Sequence, residues 1–259
     1  MKKIIYLSIL ASSLFVISCK KENTPPSSSG NGTGSSTGLT PFTNVYGTMG
    51  AVRSLTNNTF TGVPDTSYSN VTWFFNAPQN NWMFVNLTSM APAGNVSLNA
   101  VQLKLYVITP LYFYVDTTGT LNLKNGANWQ VSGASPIPAL TYSPVLPWQS
   151  YTGYAQLPDS IHKTQNSVIT LSGITGADSV SISISDGSNI SGHSYTTGKV
   201  IPSAGSITIL PIHTSGLNNT TMGSLSVSIF KFKQVGFSGK NFVFLNDLEF
   251  KKTVEIDNY

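Results

Sequence analysis

Val180-Ser181-Ile182-Ser183-Ile184-Ser185 alternates aliphatic and hydroxyl residues without a break. In an extended chain successive side chains point to opposite faces, so Val180, Ile182 and Ile184 share one face and the serines the other. Leu225-Ser226-Val227-Ser228-Ile229 repeats the device and runs on through Phe230-Lys231-Phe232-Lys233. Ser206-Ile207-Thr208-Ile209 and Ser167-Val168-Ile169-Thr170-Leu171 read as strands on the same ground. Residues 241–245 and 248–250 are expected to close the chain around an Asn246-Asp247 turn. Gly173, Gly176, Gly187, Gly198, Gly205 and Gly216 punctuate these runs at turn-like intervals.

The composition of the whole chain agrees with that stretch. Over 259 residues only 9% are charged, so the Glu, Lys and Arg that solvate helix faces are scarce, while Ser, Thr, Val, Ile and Tyr abound. The fold class read from this is all-β. Further strands are expected at 45–55, 71–76, 82–88, 96–107, 111–116 and 129–132. No window sustains helical spacing. The low charge also argues against nucleic acid as a partner, because phosphate recognition needs clustered Lys and Arg.

Residues 159–259 have the length and strand number of an Ig-like sandwich. Residues 41–135 form a β-rich region before it. Between them, 136–158 carries five prolines (136, 138, 144, 147 and 158), which cannot serve a central ladder, so it reads as an irregular connection. Two consecutive antiparallel β-sandwich domains are therefore expected, with one large jelly-roll-like sandwich as the alternative.

The start of the chain reads as an address. Lys2 and Lys3 precede an apolar run over residues 4–17 that is too short to span a bilayer as a mature helix. The run ends in Val16-Ile17-Ser18-Cys19, which resembles a bacterial lipobox; that resemblance implies residues 1–18 as the signal peptide and Cys19, the single cysteine, as the lipidated new N-terminus. At about 0.8 kcal/mol per buried methylene, two or three acyl chains hold a protein on a membrane essentially permanently. Residues 24–40 are almost wholly Ser, Thr, Gly, Pro and Asn and cannot bury enough surface to order themselves. With Cys19 they are expected to make a disordered tether over 19–40, with a reach of roughly 25 Å. Losing Lys2 and Lys3 from the 14 basic residues leaves 12 against 10 acidic ones, so the mature chain is nearly neutral.

The lipobox, the tether, Trp129-Gln130-Val131-Ser132-Gly133 followed by Ile137-Pro138, and the strand-rich tail together resemble uncharacterised surface lipoproteins of Bacteroidota. That resemblance implies an outer-membrane lipid anchor facing the cell surface, with the periplasmic leaflet as the alternative, and it brings no assigned activity. Asp116-Thr117-Thr118, Asp159-Ser160-Ile161 and Asp178-Ser179-Val180 resemble the O-glycosylation acceptor of the same group, making Thr117, Ser160 and Ser179 candidate glycan sites.

Motifs of enzyme chemistry are scarce. The one Gly-x-Ser-x-Gly match, residues 34–38, falls in the Ser/Gly-rich stretch rather than between a strand and a helix, and the chain has no phosphate loop or His-Glu-x-x-His. His162, His193 and His213 have no local partner at ligand spacing and read as structural; a triad of His193 with a distant Ser and Asp is left open. Asp186-Gly187-Ser188-Asn189 reads as turn chemistry rather than a Ca²⁺ loop. No catalytic residue, metal or cofactor is assigned, and the chain is expected not to be an enzyme.

Aromatic residues are the ligand-facing candidates. Tyr142, Trp148, Tyr151 and Tyr154 cluster in the proline-rich connection, where rings on a rigid loop can stack on sugars; the competing reading packs them between domains. Trp73-Phe74-Phe75 and Tyr112-Phe113-Tyr114 put aromatic rings on both faces of a strand, so at least one face there is expected to be covered or ligand-exposed. The expected function is a non-enzymatic binding or adhesion module of the cell envelope, with a structural or assembly component as the alternative and a hydrolase third. Its partners are the membrane, through the lipid, and a glycan or another envelope protein. Cys19→Ala is expected to abolish incorporation of labelled palmitate and to move the protein from the membrane to the soluble fraction.

Overall fold

The computed structural model describes residues 42–56, 65–80, 89–108, 111–143, 148–188, 193–197, 200 and 202–259. Cys19, the tether and the expected strand at 82–88 lie outside them. The described chain is nearly all β, as its composition requires. Its strands are β1 (Val45–Thr56), β2 (Asp65–Gln79), β3 (Val96–Leu98), β4 (Val101–Ile108), β5 (Leu111–Val115), β6 (Trp129–Val131), β7 (Leu140–Tyr142), β8 (Ser150–Tyr151), β9 (Ser160–His162) and β10 (Ser167–Thr170). They continue with β11 (Ile174–Thr175), β12 (Ser179–Ser185), β13 (Ser194–Thr196), β14 (Ser206–Ile209), β15 (Thr220–Phe237) and β16 (Lys240–Asp257). A single helical turn, α1 (Pro211–Thr214), leads toward β15.

One large sheet runs β13-β12-β15-β16-β1-β2-β5-β4-β3-β6-β7, with β9 added to the end of β16. β15 and β16 form its long central hairpin. Their turn is Ser238-Gly239, both at positive φ (50° and 76°), the two-residue geometry whose twist matches the flanking strands. The expected Asn246-Asp247 turn does not form. Both residues continue the β16 ladder, opposite Lys231 and Phe230, and Asn246 is buried. The expected strand at 96–107 breaks instead at Asn99-Ala100, which turn through positive φ between β3 and β4.

The sheet is mixed rather than purely antiparallel, because β1 and β9 both pair with β16 in parallel. This pairing carries the ladder from the first described strand to the last. The expectations of two sandwiches and of one larger sandwich meet in a structure with two apolar cores along one continuous sheet.

Both cores lie on one face of that sheet, here called inner. The even residues of β16 point inward: Phe242 and Phe244 enter one core; Leu248, Phe250, Val254 and Ile256 enter the other. The first core adds Met49, Ala51, Phe74 and Tyr114 and is covered by Val96, Leu98, Leu103, Trp129, Val131 and Leu140. The second adds Val180, Ile182, Ile184, Leu225, Val227 and Ile229, covered by Ile169 and Ile209 of the small β10–β14 sheet and Tyr151 of the β8–β11 pair. Gly47 is required where it stands: a Cβ there would meet the Phe74 ring at 2.5 Å. Trp73 and Phe75 face the opposite way and pack with Met90 in a third cluster, so both faces of that aromatic run are buried.

The proline-rich segment 136–158 is not an irregular connection throughout. It contains β7 and β8, and Ile137, Leu140, Tyr151 and Leu157 are buried. β7 fits the restriction on proline by lying at the end of the sheet, between Pro138 and Pro144. Trp148 touches both cores and donates from Nε1 to the Leu123 carbonyl at 2.9 Å. The neighbouring buried Gln149 donates to the Asn246 carbonyl at 2.8 Å, bridging the cores on the inner face.

Because the two cores share β16, they are expected to melt together. Phe244→Ala should cost about 3–5 kcal/mol and Ile229→Ala about 2–5 kcal/mol, both by lowering the midpoint of one urea transition. Two separable transitions in circular dichroism would show instead that the cores unfold independently.

Candidate functional site

The four aromatic residues expected to form a sugar platform do not form one. Tyr142 turns into the first core, its ring 4.0 Å from that of Phe244. Tyr151 is buried in the second core, edge-on to Phe250, and donates to the Thr170 carbonyl at 2.7 Å; burial pushes its hydroxyl up to about 12. Tyr154 tilts against Phe250, with ring centroids 5.1 Å apart, and donates to the Lys251 carbonyl at 3.2 Å. Trp148 bridges the cores. In Trp148, Tyr151 and Tyr154 the reason is the amphipathic character that makes them candidates: a large apolar ring ends in a donor that reaches a backbone carbonyl, whereas the Tyr142 hydroxyl is buried without a hydrogen-bond partner among the described residues.

The three candidate glycan sites stand in different surroundings. Thr117 is exposed, on the turn after β5, whose Asp116 carboxylate accepts from the amides of Thr118, Gly119 and Leu121. Ser179 is fully buried in β12 and offers no access to a modifying enzyme in the folded chain. Ser160 is half-buried on β9, and its Oγ lies 3.2 Å from Nε2 of His162.

Each histidine has a seat that the linear sequence did not reveal. His213 stacks on Tyr195 with ring centroids 4.4 Å apart and accepts from the Leu210 amide at 3.3 Å. His193 pairs through Nδ1 with Asp186 Oδ2 at 2.6 Å, the two brought together by the antiparallel pairing of β12 with β13. His162 pairs through Nδ1 with Asp257 Oδ1 at 2.7 Å, a partner 95 residues away. Among the described residues, no three His, Cys, Asp or Glu side chains gather into a metal-binding set.

Asp186 acts as a turn residue. Its carboxylate accepts from the amides of Ser188 at 2.8 Å and Asn218 at 2.7 Å as well as from His193. Burial pushes this carboxyl up, but the Asn218 and Ser188 amides and the His193 hydrogen bond together outweigh it and hold the group at about 2.

The outer face of the sheet carries a hydroxyl array. The register aligns Ser181, Ser183 and Ser185 of β12 with Ser228, Ser226 and Ser224 of β15. Thr196 and Ser194 of β13 continue the rows beyond Ser183 and Ser185, and the Ser183 and Thr196 hydroxyls meet at 3.0 Å. On the other side Glu249 lies opposite Ser228 and Lys251 opposite Ser226. Glu249 accepts from Ser54 Oγ at 2.8 Å and pairs with Lys251 at 3.0 Å. The alternation that builds the second core inside thus builds a continuous polar surface outside. Its rows lie about 4.8 Å apart across strands and about 6.8 Å apart along them.

A scan against protein-family models matches none, and searches of the curated proteins and of the solved structures return no match.

The low Asp186 pKa predicts an acid-labile contribution to stability. Its folded value lies below the ordinary 3.8, so the stabilisation is present above about pH 4 and is lost as pH falls toward 2. On the order of 2 kcal/mol should separate wild type from Asp186→Asn at neutral pH by virtue of this ionisation, shrinking across that window. Urea unfolding of both proteins at a series of pH values measures it.

Proposed function

We propose that the chain is a membrane-anchored lipoprotein of the cell envelope whose β head is a binding module. The support at the anchored end is the Cys19 lipobox and its tether. At the head the supporting observation is the ordered hydroxyl face of β13, β12 and β15. Each serine hydroxyl both donates and accepts, the short side chains lose little freedom on contact, and the Glu249–Lys251 pair borders them with both charges. Such a surface suits a partner that is itself dense in hydroxyls, and a polysaccharide is the class that matches best. The sugar contact is thereby moved from the aromatic segment to the sheet face. O-glycosylation, where it occurs, is proposed at Thr117, the exposed acceptor.

A second reading, a structural or assembly component, draws support from the β4–β5 hairpin, whose Val107 and Ile108 are 53% and 64% exposed. Envelope proteins crosslinked at Val107, with no glycan bound, would favour it.

Glycan-array and affinity-electrophoresis measurements on the purified full-length protein test the first reading. Ser183→Lys combined with Ser226→Lys should weaken polysaccharide binding by about tenfold or more, a loss of roughly 1.4 kcal/mol, while Trp148→Phe leaves it unchanged. Absence of binding to any envelope or extracellular polysaccharide overturns it.

A further inference from the structure

We propose that Ser160 is a reactive serine, activated by His162 and Asp257 for acyl transfer from small esters. The arrangement follows from strand geometry. Ser160 and His162 lie two residues apart on β9 and therefore on one face. The parallel register sets His162 against Asp257 and Ser160 against Glu255, while the buried pair Ile161 and Ile256 fixes that register from the inner side. A slip by one residue would drive His162 into the core.

The contacts then order themselves as nucleophile, base and orienting carboxylate. Asp257 Oδ1 lies 2.7 Å from His162 Nδ1 and also accepts from the Tyr259 amide at 3.0 Å. A carboxylate on Nδ1 keeps the proton there and leaves the Nε2 lone pair facing Ser160 Oγ, 3.2 Å away. The hydrogen bond from His162 holds the Asp257 carboxyl below its ordinary value, so it stays ionised at neutral pH. The His162 side chain is 37% exposed, and Ser160 is half-buried, so a small substrate can reach both.

The backbone adds a donor. Asp159 accepts from Glu255, and Lys163 donates to Asp257, so the odd residues of this segment make the ladder to β16. The amides of Ser160 and His162 point to the opposite edge, which leaves the Ser160 N–H beside its own Oγ, where an oxyanion on an attached acyl carbon would form.

The reaction balances with water as the second reactant. Ser160 Oγ bonds to the ester carbonyl carbon as its proton passes to Nε2. The bond from that carbon to the leaving oxygen then breaks, the electron pair stays on that oxygen, and the proton on Nε2 is delivered to it. Water, deprotonated by Nε2, repeats the attack on the acyl-serine, releases the carboxylic acid and restores the hydroxyl. The proposal does not depend on polysaccharide binding, and failure of one leaves the other standing.

A fluorophosphonate probe applied to the full-length protein in detergent tests it. Peptide mass mapping should place the adduct on Ser160. Ser160→Ala should remove it, and His162→Gln should slow labelling about 100-fold. Hydrolysis of p-nitrophenyl acetate should fall in the same order, with Asp257→Asn also impaired. Circular-dichroism melts identify any variant that fails to fold, in which case the remaining variants decide. Labelling of Ser160 no faster than of other serines, an unchanged rate in a folded His162→Gln protein, or a sugar on Ser160 in native material overturns the proposal.

Discussion

β16 is hydrogen-bonded along one edge to β15 and along the other to β1 and then β9, and every larger feature of the head is arranged around that double pairing. A strand fixed on both edges cannot slip, and its period of two then dictates which side chains are buried. Phe242 and Phe244 supply one core, Leu248 through Ile256 the other, and between them Asn246 meets Gln149. The odd positions of the same strand deliver Glu249, Lys251 and Asp257 to the opposite face. A single alternating segment therefore sets the packing and, on its reverse, the polar chemistry.

Much of the fold was legible in the sequence because strands with one wet face write their geometry into the residue order. Val180–Ser185 and Leu225–Ile229 are the clearest cases, and both lie inside strands whose aliphatic residues are buried. The misreadings have local physical causes. Asn246-Asp247 has turn-forming chemistry, yet the ladder on both edges of β16 overrides that preference, while Ser238-Gly239 makes the turn instead. Asn99-Ala100 lacks the glycine that marks most such turns, so the break between β3 and β4 left little trace in the residue order. The prolines of 136–158 suggested a connection, but a short edge strand fits between them.

The sites were less legible, since they depend on residues far apart in the chain. Ser160 was marked for modification and His162 was noted as a solitary histidine, but nothing local pointed to Asp257. Only the parallel register of β9 on β16 brings the three together. The aromatic cluster failed in the opposite sense: Tyr142, Trp148, Tyr151 and Tyr154 are neighbours in sequence but disperse between two cores once folded. Ser179 matched an acceptor pattern, although its place at the start of a buried strand closes it off.

The placement of β1 bears on the order in which the chain folds. The first described strand is central to the sheet, and its parallel neighbour β16 is the last described one; Ser54 and Glu249, which meet across that pairing, are 195 residues apart. Contacts so distant in sequence form slowly and cannot form early. Until the C-terminal hairpin is made, β1 has no partner on that edge, and early closure of the sheet is kinetically disfavoured. Late assembly of this kind makes the seam between β1 and β16 the step that closes the sheet.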